Sequence, residues 1–368
     1  MNAPRAAPAL PGPPPAATNP AAADAGRPVD AAVWQAIVAR YQQPSLVRSV
    51  WQLVNTLGPY ALLWYLMYRS LAVSGWLTLP LAILAGGFLV RVFIIHHDCG
   101  HGAFFQSRQA NDTWGFITGV LTFTPYQLWR WEHAVHHAHA GDLDRRGLGA
   151  VWTLTVEEYL AAPRWKRFRY RLARNPVVLF GLAPLVLFLV IHRLPPAKAS
   201  ARDRRSVHWT NLAVLGLAAS LSFVFGLPAY LLIQLTVMGV AGSAGVWLFY
   251  VQHQFDGVYW QRHGEWDFVT AALQGSSFYK LPKVLQWFSG NIGFHHIHHL
   301  SARIPNYNLE RCHRAEPLFR NVPALTLFAS FRCFTHRLWD DRRRRLVGFR
   351  YLRTVRRQAA PVLSAPPI

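Results

Sequence analysis

The sequence predicts an all-α integral membrane protein, with four transmembrane helices in two hairpins carrying a cytoplasmic histidine-rich cap. Three observations predict it. Several apolar runs within the 368 residues approach the roughly 20 residues that a helix needs to cross a bilayer. The 38 Lys and Arg outnumber the 17 Asp and Glu and gather between and beyond those runs, as the basic loops of a cytoplasmic face do. Three clusters of histidine stand where apolar runs end or between them. The formal charge of +21 alone would suit a nucleic-acid binder. Long lipid-like segments, in a chain that is 52% hydrophobic, assign the positive loops to a membrane face instead and leave no role for nucleic acid.

Taken in order, residues 1–28 are a Pro/Ala-rich stretch, expected to be disordered. They lack a basic start leading into a leucine-rich core, so they do not read as a signal peptide. Residues 29–335 form the membrane domain, opening with a short amphipathic helix over 30–47 at the bilayer surface. Runs at about 50–69 and 75–95, joined by the short link "RSLAVS", predict the first helical hairpin. The segment 114–129 is shorter and contains Pro125, which suits a dip into the bilayer and a return. Residues 176–191 are apolar for only 16 residues, contain Pro184 and have basic flanks on both sides. Both ends therefore belong on one face, and the segment is re-entrant or interfacial. Runs at 209–225 and 229–250, joined by a small uncharged turn, predict the second hairpin. Residues 336–368 form a basic tail suited to anionic headgroups.

Parity then fixes the topology. Two crossings precede His97 and two lie between His137 and His253, so all three histidine clusters share one face. Basic loops make that face cytoplasmic, in an inner or cytoplasmic membrane. The three cysteines, Cys99, Cys312 and Cys333, form no CxxC pair, which excludes a thiolate metal motif and a disulfide framework.

His97 and His101 are four residues apart, while His133, His136, His137 and His295, His298, His299 are both spaced i, i+3, i+4. On a helix each set is expected to project from one face, and neutral imidazole is a good ligand for iron and other first-row metals. His253 closes the last apolar run, as His97 closes an earlier one. Nine candidate ligands exceed the needs of one ion and suffice for two. A histidine-rich dinuclear site in a membrane points to O2 activation by iron, because zinc hydrolysis needs fewer ligands and an evident glutamate base. His96, His139 and His296 are less well placed. Asp98, Asp142 and Asn291 are candidates to orient ligands or a metal-bound water, with caps and turns as their other reading. Trp129, Trp131, Phe104 and Phe105 are candidates for an apolar slot or for interfacial anchors.

These residues resemble those of the membrane fatty acid desaturases, closest to the acyl-lipid omega-6 (delta-12) type. The three boxes of that family, HxxxH, HxxHH and HxxHH, match "HDCGH", "HAVHH" and "HHIHH" here. The stretches "YVQHQF", "EWDFVTAALQGSSFYKLP" and "NIGFHHIHHLSARIPNYNL" also resemble this branch, and the likeness runs from about residue 45 to 335. It implies that His97, His101, His133, His136, His137, His253, His295, His298 and His299 hold two irons. It implies O2-dependent removal of two hydrogens from adjacent methylenes of a fatty acyl lipid, with O2 reduced to water. An HPGG heme motif does not occur in the chain, so an external donor such as a ferredoxin or cytochrome b5-type protein is implied. Some relatives carry a histidine directly after the first box, where this chain has Gly102. Chemistry agrees with the likeness: a methylene C–H lacks useful acidity, so its removal needs an oxidising metal rather than a carboxylate or a serine triad. Two rival readings remain at this level. A hydroxylase would use the same histidines, and a metal transporter or sensor would need ligands nearer mid-membrane.

Overall fold

The structure, a computed structural model, describes residues 31–147, 149–320 and 322–359. The Pro/Ala-rich stretch 1–28 and the last residues of the basic tail lie outside that range. The architecture is all-α with two small β-sheets. Helix α1 (Ala31–Ala39) lies within the stretch expected to be amphipathic and leads to α2 (Leu46–Leu71) and α3 (Gly75–Gly100). At 26 residues each, α2 and α3 are roughly 39 Å long. Their turn is closed by the Ser74 hydroxyl, which accepts from the Trp76 amide at 3.2 Å, and by a Ser70–Thr78 hydroxyl contact at 2.7 Å.

The segment 114–129 spans the end of one helix and the start of the next. Helix α4 (Arg108–Leu121) and α5 (Tyr126–His139) are separated by a break in which Phe123 takes a positive φ of 56° and Pro125 starts the new helix. Short helices α6 (Val156–Ala161) and α7 (Arg164–Ala173) precede a π-helical turn over Val177–Leu182 that runs into α8 (Ala183–Leu189). The second hairpin is α9 (Ala201–Phe225) and α10 (Leu227–His253), turning at Gly226, whose φ of 82° favours glycine. The cap is completed by α11 (Phe268–Gln274), α12 (Lys283–Phe288), α13 (His295–Leu300), α14 (Asn306–Ala315), α15 (Leu327–Ser330) and α16 (Tyr351–Ala359).

Among the described residues, α3, α9 and α10 are long and apolar enough to cross a membrane, while α2 matches them in length but holds no stretch that is as apolar over a membrane's thickness. A fourth candidate is a broken span, Arg164–Ala173 with Val177–Arg193, bent by 60°. At its break, Arg174 donates to Gln254 at 2.8 Å just beyond α10, and at its far end the Arg193 carbonyl accepts from Asn211 of α9 at 2.8 Å. The Arg193 guanidinium also donates to the Phe123 carbonyl between α4 and α5.

The membrane core packs Tyr60, Trp64 and Met67 of α2 against Leu89 and Val92 of α3 and Ile233 and Val237 of α10. A β-carbon on Gly86 would stand 2.5 Å from Val240, so α3 and α10 approach closely because that position is glycine. The buried Arg91 is satisfied by Thr56 at 3.1 Å and by the Trp287 carbonyl, with its guanidinium 4.0 Å over the Trp287 ring.

Short strands tie the cap together. Parallel β1 (Leu154–Thr155) pairs with β4 (Leu338–Asp340), which pairs antiparallel with β5 (Arg345–Val347), while β2 (Phe278–Lys280) pairs parallel with β3 (Ala324–Thr326). Residues 336–359, set apart in the sequence as a basic tail, are therefore partly packed: Leu338 and Trp339 are buried, and Leu352 joins Tyr159 and Tyr170 in one apolar cluster.

Candidate metal centre

Nine histidines from four elements meet at the end of the bundle as two groups. The first is His97, His101, His133, His137 and His298, and the second is His136, His253, His295 and His299. Within each group the ligand nitrogens lie within 4.8 Å of one another. Helix periodicity produces the division. On α5, His133 and His137 are one turn apart and face the first group, whereas His136 turns to the second. On α13 the split reverses: His295 and His299 face the second group and His298 the first. The groups abut through His137 and His299, whose rings stack at 4.2 Å and 14°.

The Nε2 atoms approach one another as ligands of a shared cation do. His133–His137 are 3.1 Å apart, His137–His298 3.0 Å, His253–His295 3.0 Å, His295–His299 3.1 Å and His136–His253 3.2 Å. Nitrogens bonded to one metal at about 2.1 Å stand roughly 3.0–3.4 Å apart in octahedral or tetrahedral geometry. Burial first, and then neighbouring imidazoles, holds His101, His133, His136, His137, His295, His298 and His299 well below their ordinary pKa. Neutral imidazole is the ligating form, so the donor set fits two first-row metal ions.

Surrounding residues explain the orientation. Asp98 Oδ1 lies 3.2 Å from His97 Nδ1, while Asp98 Oδ2 accepts from the Asn306 amide at 2.7 Å and its side chain at 2.8 Å. One carboxylate thus ties the first box to α14, and with Nδ1–H donated to it, His97 presents Nε2. His253 Nδ1 faces the Gly275 carbonyl at 3.3 Å, which leaves its Nε2 toward the second group. Trp129 stacks on His133 at 4.5 Å and 17°, and Tyr126 donates to the Cys99 carbonyl at 2.8 Å, fastening α5 to α3. Helix α13 is anchored by its opposite face: Ile297 and Leu300 are buried with Val38, and His296 turns to His313 at 3.3 Å.

Other candidates fall elsewhere. His96 bonds through Nδ1 to the Gly115 carbonyl at 2.9 Å and joins neither group, nor do His139 and His296. Asp142 accepts the Asp144 amide at 3.0 Å and meets His263 Nδ1 at 2.8 Å. Asn291, at φ 59°, donates to the Asn306 carbonyl at 3.1 Å and accepts from Gln286 at 2.9 Å, so it reaches the site only through Asn306 and Asp98. Phe104 is buried in packing, Trp131 is exposed, and Phe105 lines a groove of about 700 Å³ between α2 and α4 that none of the nine histidines lines. A smaller cleft in the cap is lined by His136, His253, Phe249, Asp142 and Arg146. Asn306 and Gly275 are the supports that sequence reasoning missed. Asn306 lies within "IPNYNL", but nothing in its spacing reveals its bond to Asp98.

The family described as "Fatty acid desaturase" matches residues 74–332. The chain is 47% identical over 330 residues to a "Fatty acid desaturase" of Bacillus subtilis, covering 90% of this chain and 92% of that one. It is 28% identical to the "sn-1 oleoyl-lipid 12-desaturase" of Synechocystis sp., covering 67% of this chain and 70% of that one. It is also 28% identical to the "sn-1 acyl-lipid omega-3 desaturase (ferredoxin)" of Synechocystis sp., covering 76% and 78%.

Proposed function

The chain belongs to the fatty acid desaturase family, and from that membership we propose that it introduces a delta-12 (omega-6) double bond into a lipid-linked monounsaturated acyl chain. The general reaction is that of an O2-using, diiron-type membrane fatty acid desaturase. Support for the delta-12 position is the box-flanking sequence and the 12-desaturase relative.

The convergence of nine imidazoles in two groups carries the reading. His97, His101, His133, His137 and His298 would hold one iron, and His136, His253, His295 and His299 the other. Bound iron would supply the oxidising chemistry that an unactivated C–H bond requires. The protein's part is orientation. Asp98 and the Gly275 carbonyl hold the imidazoles that they face with Nε2 inward, and Trp129 fixes the ring plane of His133. Electrons come from an external carrier of ferredoxin or cytochrome b5 type, a reading supported by the ferredoxin-linked relative. The site faces the cytoplasm of the inner membrane, a reading supported by the basic loops.

The test is expression in a host rich in monounsaturated lipids, followed by gas chromatography of total fatty acids with derivatives that locate double bonds. A new diene at the delta-12 position supports the proposal, and its loss in His136→Ala supports the ligand set. A diene elsewhere overturns the regiochemistry. A product heavier by one oxygen identifies a hydroxylase.

A further inference from the structure

Helix α7 carries an apolar stripe that the fold leaves uncovered. Trp165, Phe168 and Leu172, spaced i, i+3, i+7, share one face, with exposures of 66%, 55% and 50%. The Trp165 and Phe168 rings stack on each other at 5.5 Å. The opposite face is pinned to the cap: Tyr170 is fully buried, accepts the Leu154 amide at 3.1 Å and donates to the Arg337 carbonyl. Arg164 and Arg171 border the stripe on one side and Arg169 on the other, by helical periodicity. The helix contains no acidic residue. None of the ion pairs among the described residues involves Arg164, Lys166 or Arg169.

Arg171 is held by the Tyr159 hydroxyl at 2.6 Å, but an exposed apolar stripe flanked by Arg164 and Arg169, neither of them in an ion pair, is the pattern of a helix lying in the plane of a bilayer surface, with arginines reaching to headgroups. Position agrees with pattern. Beyond α7 the exposed apolar surface continues at Val177 and Leu182, 78% and 56% exposed at the start of the second limb of the broken span, which bends from α7 by 60°. A groove for a protein partner would end at the membrane, whereas this stripe continues into the segment suited to lipid.

We infer that α7 is an interfacial anchor that docks on the anionic phospholipid headgroup layer, its aromatic stripe in the upper acyl region and its arginines on lipid phosphates. The docking does not depend on the metal centre. It fixes the break of that span at Arg174, which bonds Gln254 next to His253.

The experiment uses the full chain in vesicles of phosphatidylcholine, with and without phosphatidylglycerol. An environment-sensitive fluorophore is attached at Phe168→Cys and, as a control in the cap, at Arg342→Cys. The native cysteines are buried, so labelling is selective, and monodisperse elution confirms that each variant folds. Since each basic residue near an anionic surface is worth roughly fivefold in binding, brominated phosphatidylglycerol should quench the Phe168 label about threefold more than brominated phosphatidylcholine at equal mole fraction. Iodide should quench that label severalfold less than the control. Arg164→Glu with Arg169→Glu should bring the lipid preference to about one while iodide protection remains. Equal iodide access at both sites overturns the inference, as does a lipid ratio near one in the unaltered helix. Protection that arises only when an acidic redox protein is added also overturns it, and would make the face a protein-docking surface.

Discussion

Asp98→Asn tests how the protein sets the tautomer of a ligand. The Asp98 side chain is buried and acceptor-only, receiving two bonds from Asn306 at 2.7 and 2.8 Å on one oxygen and facing His97 Nδ1 at 3.2 Å with the other. Asparagine keeps the shape but replaces one oxygen by an NH2 group. Aimed at Asn306, that group would meet two donors; aimed at His97, it would lose one bond. The second placement costs less, and there the amide donates to Nδ1 and leaves the ring proton on Nε2, the atom needed for metal. Loss of a charge-assisted bond of about 1.5–3 kcal/mol corresponds to roughly 10–100-fold weaker metal retention, the range seen when groups that orient metal-ligating histidines are removed. The assay is iron per chain by mass spectrometry after graded chelation, read beside diene yield. The expected result is selective loss of about one iron, with folding preserved. Two irons retained at unchanged affinity, with unchanged product, would refute the tautomer argument.

Three further outcomes follow from the same geometry. His96→Asn should keep both irons and most activity, because His96 serves the Gly115 carbonyl and not a ligand group, whereas His97→Asn should lose iron; the same metal assay distinguishes them. Gly149→Ala should cost about 1–2 kcal/mol for the left-handed backbone alone, and its β-carbon would stand 2.8 Å from His136 Cβ, so both thermal midpoint and iron content should fall. In metal-stripped protein, stability should be full above about pH 6.5 and fall as pH drops below it. The unfolded chain then takes up protons that the buried His101, His133, His136, His137, His295, His298 and His299 resist, worth about 1.4 kcal/mol per pH unit for each histidine protonated on unfolding. Thermal melts in detergent at pH 7.5 and 5.5 check this, and equal midpoints would contradict the burial argument.

The membrane-length helices were legible because hydropathy is local and needs no partner. Runs at 75–95, 209–225 and 229–250 fall inside α3, α9 and α10, which extend further because their histidine and basic ends are polar yet helical. The spacing of the boxes pointed to the ligands but placed each set on one helical face, whereas the second and third boxes are each divided between the two groups. Whether His298 joins His133 or His295 depends on how α13 sits against α5, more than 150 residues away in the chain. For the same reason the supports of His97 and His253 were partly hidden. Asp98 was visible beside its histidine, while Asn306 and the Gly275 carbonyl act through tertiary contacts that leave no periodic trace. Asp142 and Asn291 carry the residue types of orienting groups but serve His263 and a left-handed turn, as such residues also do near loops. The two-residue to three-residue strands were invisible because their pairing joins residues as far apart as Leu154 and Leu338.

X-ray absorption at the iron edge on the purified, iron-loaded chain, with metal stoichiometry from the same sample, probes the two histidine groups most directly. Two irons per chain should be found, each in a shell of imidazole nitrogen at about 2.1 Å, with His136→Ala depleting the site. Full desaturase activity with no bound iron, or a shell dominated by sulfur, would contradict the account.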